Sequence, residues 1–152
     1  MAIDMENGKL LDNVPIELES VSDDVKELID SATAVMKNAY APFSHFHVGA
    51  AIRTDSGNVY SGCNVENASL GGTICAERGA AMASVAGEGY SRFKAIAIAS
   101  GSDEPAPPCA LCRQFLSQFT DPEVPVYLYS VKSGVLKLFS FGVLMPYPFT
   151  EF

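Results

Sequence analysis

The chain has 152 residues, 48% of them hydrophobic, and no evident linker, which suits one compact domain with a sizeable core. No stretch reaches the roughly 18–20 apolar residues of a membrane span, and the start Met1-Ala2-Ile3-Asp4 lacks the basic-then-apolar pattern of a secretion signal, so a cytoplasmic protein is expected. With a net charge of −8 and ten Lys and Arg scattered among eighteen acids, the chain has no basic stripe, and nucleic acid is not expected as a partner.

Residues 1–20 are acidic, lack periodicity and contain Pro15, and read as an irregular tail before a single domain over 21–152. Ser22, Asp23 and Asp24 make a helix start, with acids near the positive end of the helix dipole. Val25, Leu28, Ile29, Ala32, Val35, Met36 and Ala39 follow at three- and four-residue spacing as one apolar face, and Pro42 is expected to end the helix. Phe46 to Arg53 and Val59 to Val65 read as a hairpin turned at Asp55-Ser56-Gly57-Asn58. A second helix is expected after Thr73 as N-cap, running to Gly87. The nearly continuous apolar run from Phe93 to Ser100 suits a central strand buried on both faces. A third helix begins near Cys109 and reaches Phe119; strands Val126 to Val131 and Val135 to Ser140 follow. Their link, Lys132-Ser133-Gly134, is too short for a parallel crossover, so they must be antiparallel. The expected fold is α/β: three layers, α/β/α, around a five-stranded mixed sheet.

The chemistry concentrates in Cys75-Ala76-Glu77 and in Pro108-Cys109-Ala110-Leu111-Cys112. A Cys-x-x-Cys pair alone fits a redox pair, half of a structural zinc knuckle, or two inert thiols. A structural zinc site needs four protein ligands, and the only spare sulfur, Cys63, has no close partner cysteine. A thioredoxin-type pair leaves the third, glutamate-bearing cysteine unexplained. Three thiolates can instead hold one zinc ion and leave its fourth position to water, with Glu77 two residues from the first ligand to handle that water's protons. Cys109 and Cys112, three apart, share a helix face; Cys75 and Glu77 can cooperate only where the chain enters a helix. Three thiolates carry one charge more than zinc neutralises, and Arg78 is the nearest cation in sequence to offset it.

The paired motifs resemble the zinc deaminase signature, in which the first ligand is His or Cys. Beyond it, Tyr40-Ala41-Pro42-Phe43-Ser44-His45-Phe46, Gly62-Cys63-Asn64-Val65-Glu66-Asn67-Ala68-Ser69, Cys75 to Arg78 and Pro108 to Phe115 are similar to the cytidine deaminase family. The similarity runs collinearly over about residues 25–150, with Leu144 to Phe149 similar to the family's C-terminal segment. The resemblance implies hydrolytic deamination of cytidine and 2′-deoxycytidine in pyrimidine salvage, with one Zn2+ per chain held by Cys75, Cys109 and Cys112, and Glu77 as the catalytic proton carrier. It further implies that Asn64 and Glu66 bind the ribose hydroxyls and that Phe43 lies against the pyrimidine. Ala76 would offer its backbone N–H to the base carbonyl, and Arg78 would support the thiolates. Three cysteine ligands on a single-domain chain look like the homotetrameric branch, in which Phe149 of one subunit would cover the base bound in another.

Leu70 stands where the family often has Tyr, and Pro107 where a small polar residue is more usual. Rival readings are a deaminase of a modified cytosine nucleoside such as blasticidin S, against which the Asn64/Glu66 pair argues, and a non-enzymatic zinc-binding interaction module. His45 and His47 alternate as on a strand but face competition from better ligands, and Cys63 reads as a buried free thiol.

Overall fold

A computed structural model describes residues 2–151. In chain order it contains β1 (Val14–Ile16), α1 (Asp23–Met36), β2 (Val48–Thr54), β3 (Val59–Cys63), α2 (Ala76–Glu88), β4 (Phe93–Ser100), α3 (Ala110–Ser117), β5 (Pro125–Ser130), β6 (Leu136–Ser140) and the short α4 (Phe141–Leu144). Single 3-10 turns occupy Leu18–Ser20 and Leu70–Gly72. The strands form one sheet in the order β1-β6-β5-β4-β2-β3. Only β4 and β5 pair in parallel; every other neighbouring pair, including β5 and β6, is antiparallel. The parallel step needs a crossover, and α3 supplies it.

The two-residue period of the central strands divides the core between the sheet's faces. Ala50, Ile52, Ile96 and Ile98 pack with Ala76 and Ala80 of α2 and with Leu116 of α3. Ala51, Ala97 and Ala99 face the other way, against Leu28, Ile29 and Ala32 of α1. Each large aliphatic side chain removed from water in this way contributes about 1.5–3 kcal/mol. The alanines on the α1 side are small for a reason: at Gly49 an added Cβ would lie 1.9 Å from the carbonyl oxygen of Ala32, so the helix backbone rests directly on the sheet.

Four expectations need correction. The sheet has six strands among the described residues, not five, because the N-terminal segment is not an irregular tail. Val14, Pro15 and Ile16 pair with Leu138, Lys137 and Leu136 along β6. Upstream, Ala2 is 1% exposed, its N–H donates to the Glu123 carbonyl at 2.8 Å, and Ser140 Oγ donates to the Ala2 carbonyl. Secondly, α1 ends at Met36, ahead of Pro42, and Asn38 and Ala39 continue only as turns onto the carbonyls of Val35 and Met36. Thirdly, the hairpin's first strand starts at Val48 and not at Phe46, whose backbone N–H and carbonyl are taken by the Ser44 hydroxyl and the Asn64 amide and not by a neighbouring strand; neither His45 nor His47 lies on a strand. Finally, Thr73 does not cap α2. Ile74 exchanges both backbone hydrogen bonds with Val65, which keeps the chain extended through Cys75, and Cys75 becomes the N-cap.

The approach of α2 to β3 decides where the site residues meet. At Gly62 a Cβ would lie 2.3 Å from the Ala80 nitrogen and 2.6 Å from the Gly79 carbonyl carbon, both backbone atoms that cannot swing aside. Gly62→Ala should therefore lower stability by about 1–3 kcal/mol, the usual cost of overpacking, in urea unfolding. Gly71→Ala, where a Cβ meets nothing within 4 Å, is the control and should show no comparable loss.

Candidate metal centre and active site

Both helices that face the site begin on a cysteine. Cys75 (φ −72°, ψ 157°) is the N-cap of α2 and Cys109 (φ −66°, ψ 165°) the N-cap of α3, each with extended backbone leading into the first turn. The unsatisfied N–H groups and positive dipole end of a helix favour thiolates there. Cys112, one turn into α3, is fully buried and completes the cluster: the three sulfurs lie within 4.8 Å of one another, and Cys75 Sγ is 3.9 Å from Cys109 Sγ. Sulfurs bound to one tetrahedral zinc at about 2.3 Å are separated by roughly 3.8 Å, whereas a disulfide brings them to about 2.05 Å. All four cysteines are free, and the soft sulfur donor set fits zinc. Cys63, half-buried, is not part of the cluster.

Arg78 sits one turn along α2 and donates to Cys75 Sγ at 3.7 Å and to the Thr73 carbonyl at 3.2 Å. The hydrogen bond from the Cys112 thiol, reinforced by that of Arg78, pulls the Cys75 thiol down to about 5. The same sharing with Cys75, then burial and the Glu77 charge, pushes the Cys112 thiol up. Glu77 is 4% exposed; burial, then the nearby Cys75 charge, raises its carboxyl above the usual range. Its Oε2 lies 3.7 Å from Cys112 Sγ, so the carboxylate borders the sulfur cluster directly.

A cavity of about 290 Å3 opens beside the cluster. Cys75, Ala76, Glu77 and Cys109 line it together with Asn64 and Glu66, and Phe46, Val48, Ile98, Ala106 and Pro107 add walls. Asn64 is nearly buried and already half committed: its Oδ1 accepts the Val48 N–H at 2.9 Å and its Nδ2 donates to the Phe46 carbonyl at 2.8 Å. One N–H and one lone pair remain for a ligand. Phe43 is not part of the lining and is 54% exposed, although its backbone N–H donates to Glu66 Oε2 at 2.9 Å. Leu70, on a 3-10 turn, is 78% exposed and also outside the lining. A larger cavity, about 500 Å3, lies between α3, α4 and the C-terminal segment and contains none of the cluster residues, so its size carries no chemistry.

Phe149 does not reach the cavity of its own chain. Gln114, two residues after Cys112, holds it by both backbone groups, donating Nε2 to the Phe149 carbonyl at 2.6 Å and accepting its N–H at 3.1 Å. Arg113 next to it donates to the carbonyls of Pro108 at 2.7 Å and Leu144 at 3.1 Å, tying the cysteine loop to α4. Sequence reasoning left Ser44, Phe46, Arg113 and Gln114 without roles. All four lie inside the motifs that carry the resemblance, and those motifs were the only signal that pointed to them.

The family model for the cytidine and deoxycytidylate deaminase zinc-binding region matches residues 22–128. The chain belongs to that deaminase family. It is 39% identical over 112 residues to a cytidine deaminase of Sporosarcina psychrophila, covering 74% of this chain and 82% of the relative. A probable cytidine deaminase of Dictyostelium discoideum is 46% identical over 103 residues, covering 67% and 69%. The crystal structure of the cytidine deaminase from Burkholderia pseudomallei superposes with a TM-score of 0.75 at 40% identity, covering 85% of this chain and all (100%) of that one. A zinc-binding deaminase region agrees with the sulfur cluster, and zinc is the cofactor of this fold. Among the described residues no helix is long and apolar enough to cross a membrane.

Proposed function

We propose that the chain hydrolyses cytidine and 2′-deoxycytidine to uridine and 2′-deoxyuridine with release of ammonia, a reaction of pyrimidine salvage. The observation that carries this reading is a buried carboxylate, Glu77, beside three converging sulfurs, in one cavity with Asn64 and Glu66. In it, Cys75, Cys109 and Cys112 hold the metal, and the Arg78 charge offsets the surplus thiolate. When bound, zinc supplies the Lewis acidity that makes water a nucleophile near neutral pH.

The remaining work falls to the chain. Glu77 takes a proton from the attacking water, returns it to ring N3 as C4 becomes tetrahedral, and then assists departure of the amino group as ammonia. Its buried place beside the sulfurs sets the carboxylate next to the water it serves. The N–H of Ala76, in the first turn of α2, meets the base carbonyl. Asn64 and Glu66 bind the sugar hydroxyls, and Phe46, which lines the cavity where Phe43 does not, packs on the pyrimidine. No Lys or Arg lines the cavity, so a 5′-phosphate would meet no counter-charge.

A homotetramer completes the reading. The backbone clamp from Gln114 leaves the Phe149 side chain 64% exposed, which suits covering the base in a neighbouring subunit. Exposed apolar side chains on α2 (Met82 and Val85) and α3 (Leu111 and Phe115) supply surface for such an assembly. Four free cysteines accord with a reducing cytoplasm.

Three measurements test this. Metal analysis of Cys112→Ala should show loss of zinc with activity, whereas Cys63→Ala keeps both; equal zinc loss in the two would mean four protein ligands and no catalytic position. Glu77→Gln should retain zinc yet lose at least about 10²–10⁴-fold in kcat, judged by the absorbance change on deamination; near-normal turnover would assign the proton work elsewhere. Phe149→Ala should raise KM with zinc intact. Mixing it with Glu77→Gln chains should restore hybrid activity, and a fully active monomer would sink the shared site.

A further inference from the structure

The two residues assigned to the sugar are joined by hydrogen bonds through residues 43–46, and the Ser44 hydroxyl is where those bonds branch. Ser44 Oγ donates to Glu66 Oε1, while the N–H groups of Phe43 and Ser44 donate to Oε2 at 2.9 and 3.2 Å. The same Oγ accepts the Phe46 N–H at 3.0 Å, and the Phe46 carbonyl in turn receives Asn64 Nδ2 at 2.8 Å. His45, between them, holds its left-handed φ of 56° with its N–H on the Ala41 carbonyl at 3.0 Å, which makes the tight turn that aims Ser44 at Glu66. Ser44 itself lines the cavity, so its hydroxyl belongs to the site and not to a remote loop.

A carboxylate offers about four lone-pair sites. Three donors from the chain already sit on Glu66, two on Oε2 and one on Oε1. The remaining site is therefore on Oε1, the oxygen that Ser44 orients. We infer that Ser44 is a positioning residue for sugar recognition: its hydroxyl fixes Glu66 Oε1 as the acceptor for one ribose hydroxyl and couples that acceptor to Asn64 through Phe46. The substrate class this implies is a nucleoside whose sugar keeps a free 2′- or 3′-hydroxyl. The same donors, the Ser44 hydroxyl first, hold the Glu66 carboxyl below the usual range, so it stays an ionised acceptor. The inference rests on the reading that Glu66 binds the sugar.

The test compares cytidine with 2′,3′-dideoxycytidine, which lacks both hydroxyls, on zinc-replete wild type, Ser44→Ala, Ser44→Thr and Glu66→Gln. One hydrogen bond of this kind corresponds to about a three- to tenfold effect on binding. Ser44→Ala should raise KM for cytidine by that factor with kcat within about twofold, the pattern of lost uniform binding, while KM for the dideoxynucleoside hardly moves. Ser44→Thr, which keeps the hydroxyl, should restore the cytidine value. Should the alanine chain fail to fold, Ser44→Gly gives the same comparison. Equal effects on both substrates, or none on either, overturn the inference and make Ser44 merely structural. If Glu66→Gln separates the two substrates and Ser44→Ala does not, the role of Ser44 fails alone. If Glu66→Gln treats them alike, the sugar-binding reading itself fails, and a wild type inactive on cytidine overturns both.

Discussion

Helix α2 can lie against β3 only because no side chain stands between them. Gly62 on the strand faces the backbone of Gly79 and Ala80 on the helix, and a single methyl there would meet main-chain atoms. That contact sets the distance between two parts of the molecule with different tasks. Cys75 and Glu77 ride on the start of the helix, Asn64 and Glu66 on the chain leaving the strand, and both pairs open on one cavity. A change of an ångström at Gly62 would be transmitted to the separation of metal cluster and sugar site, and misplacement of that size is costly to a reaction that depends on orientation.

The same economy governs electrostatics. Two helix N-termini and one guanidinium meet three sulfurs, so the positive charge that three thiolates need beyond what a zinc ion brings is supplied by main chain and Arg78 and does not depend on flexible lysines. Glu77 is buried next to this assembly and Glu66 is held by three donors in a more open position, so two carboxylates that line one cavity receive opposite treatment. One is pushed toward holding a proton and the other toward releasing it, which separates a proton carrier from an acceptor.

Much of this was legible in the residues. The apolar period of α1, the continuous run of β4 and the short link between β5 and β6 each have one physical solution, and the structure adopts it. The cysteine and glutamate positions were legible because metal chemistry tolerates few spacings. What stayed hidden depended on partners far along the chain. Val14-Pro15-Ile16 is too short to announce a strand and becomes one only against Leu136 to Leu138. Thr73 has the composition of a helix cap, yet the pairing of Ile74 with Val65 keeps it extended. Ser44 and Gln114 look like ordinary polar residues until the carboxylate and the backbone they hold arrive from 22 and 35 residues away.

The N-terminal strand has a further consequence for solubility. Without β1, the β6 segment Leu136–Ser140 would present a row of unpaired backbone donors and acceptors, the template on which sheets of different molecules join. With β1 in place the outermost strand is three residues long and carries Pro15, which has no N–H to offer a newcomer. The ladder stops there by design of its chemistry. Copies of the chain that assemble must then do so through side chains on faces and loops, where a unique geometry can be specified, and not through an open-ended run of main-chain pairing on that side of the sheet.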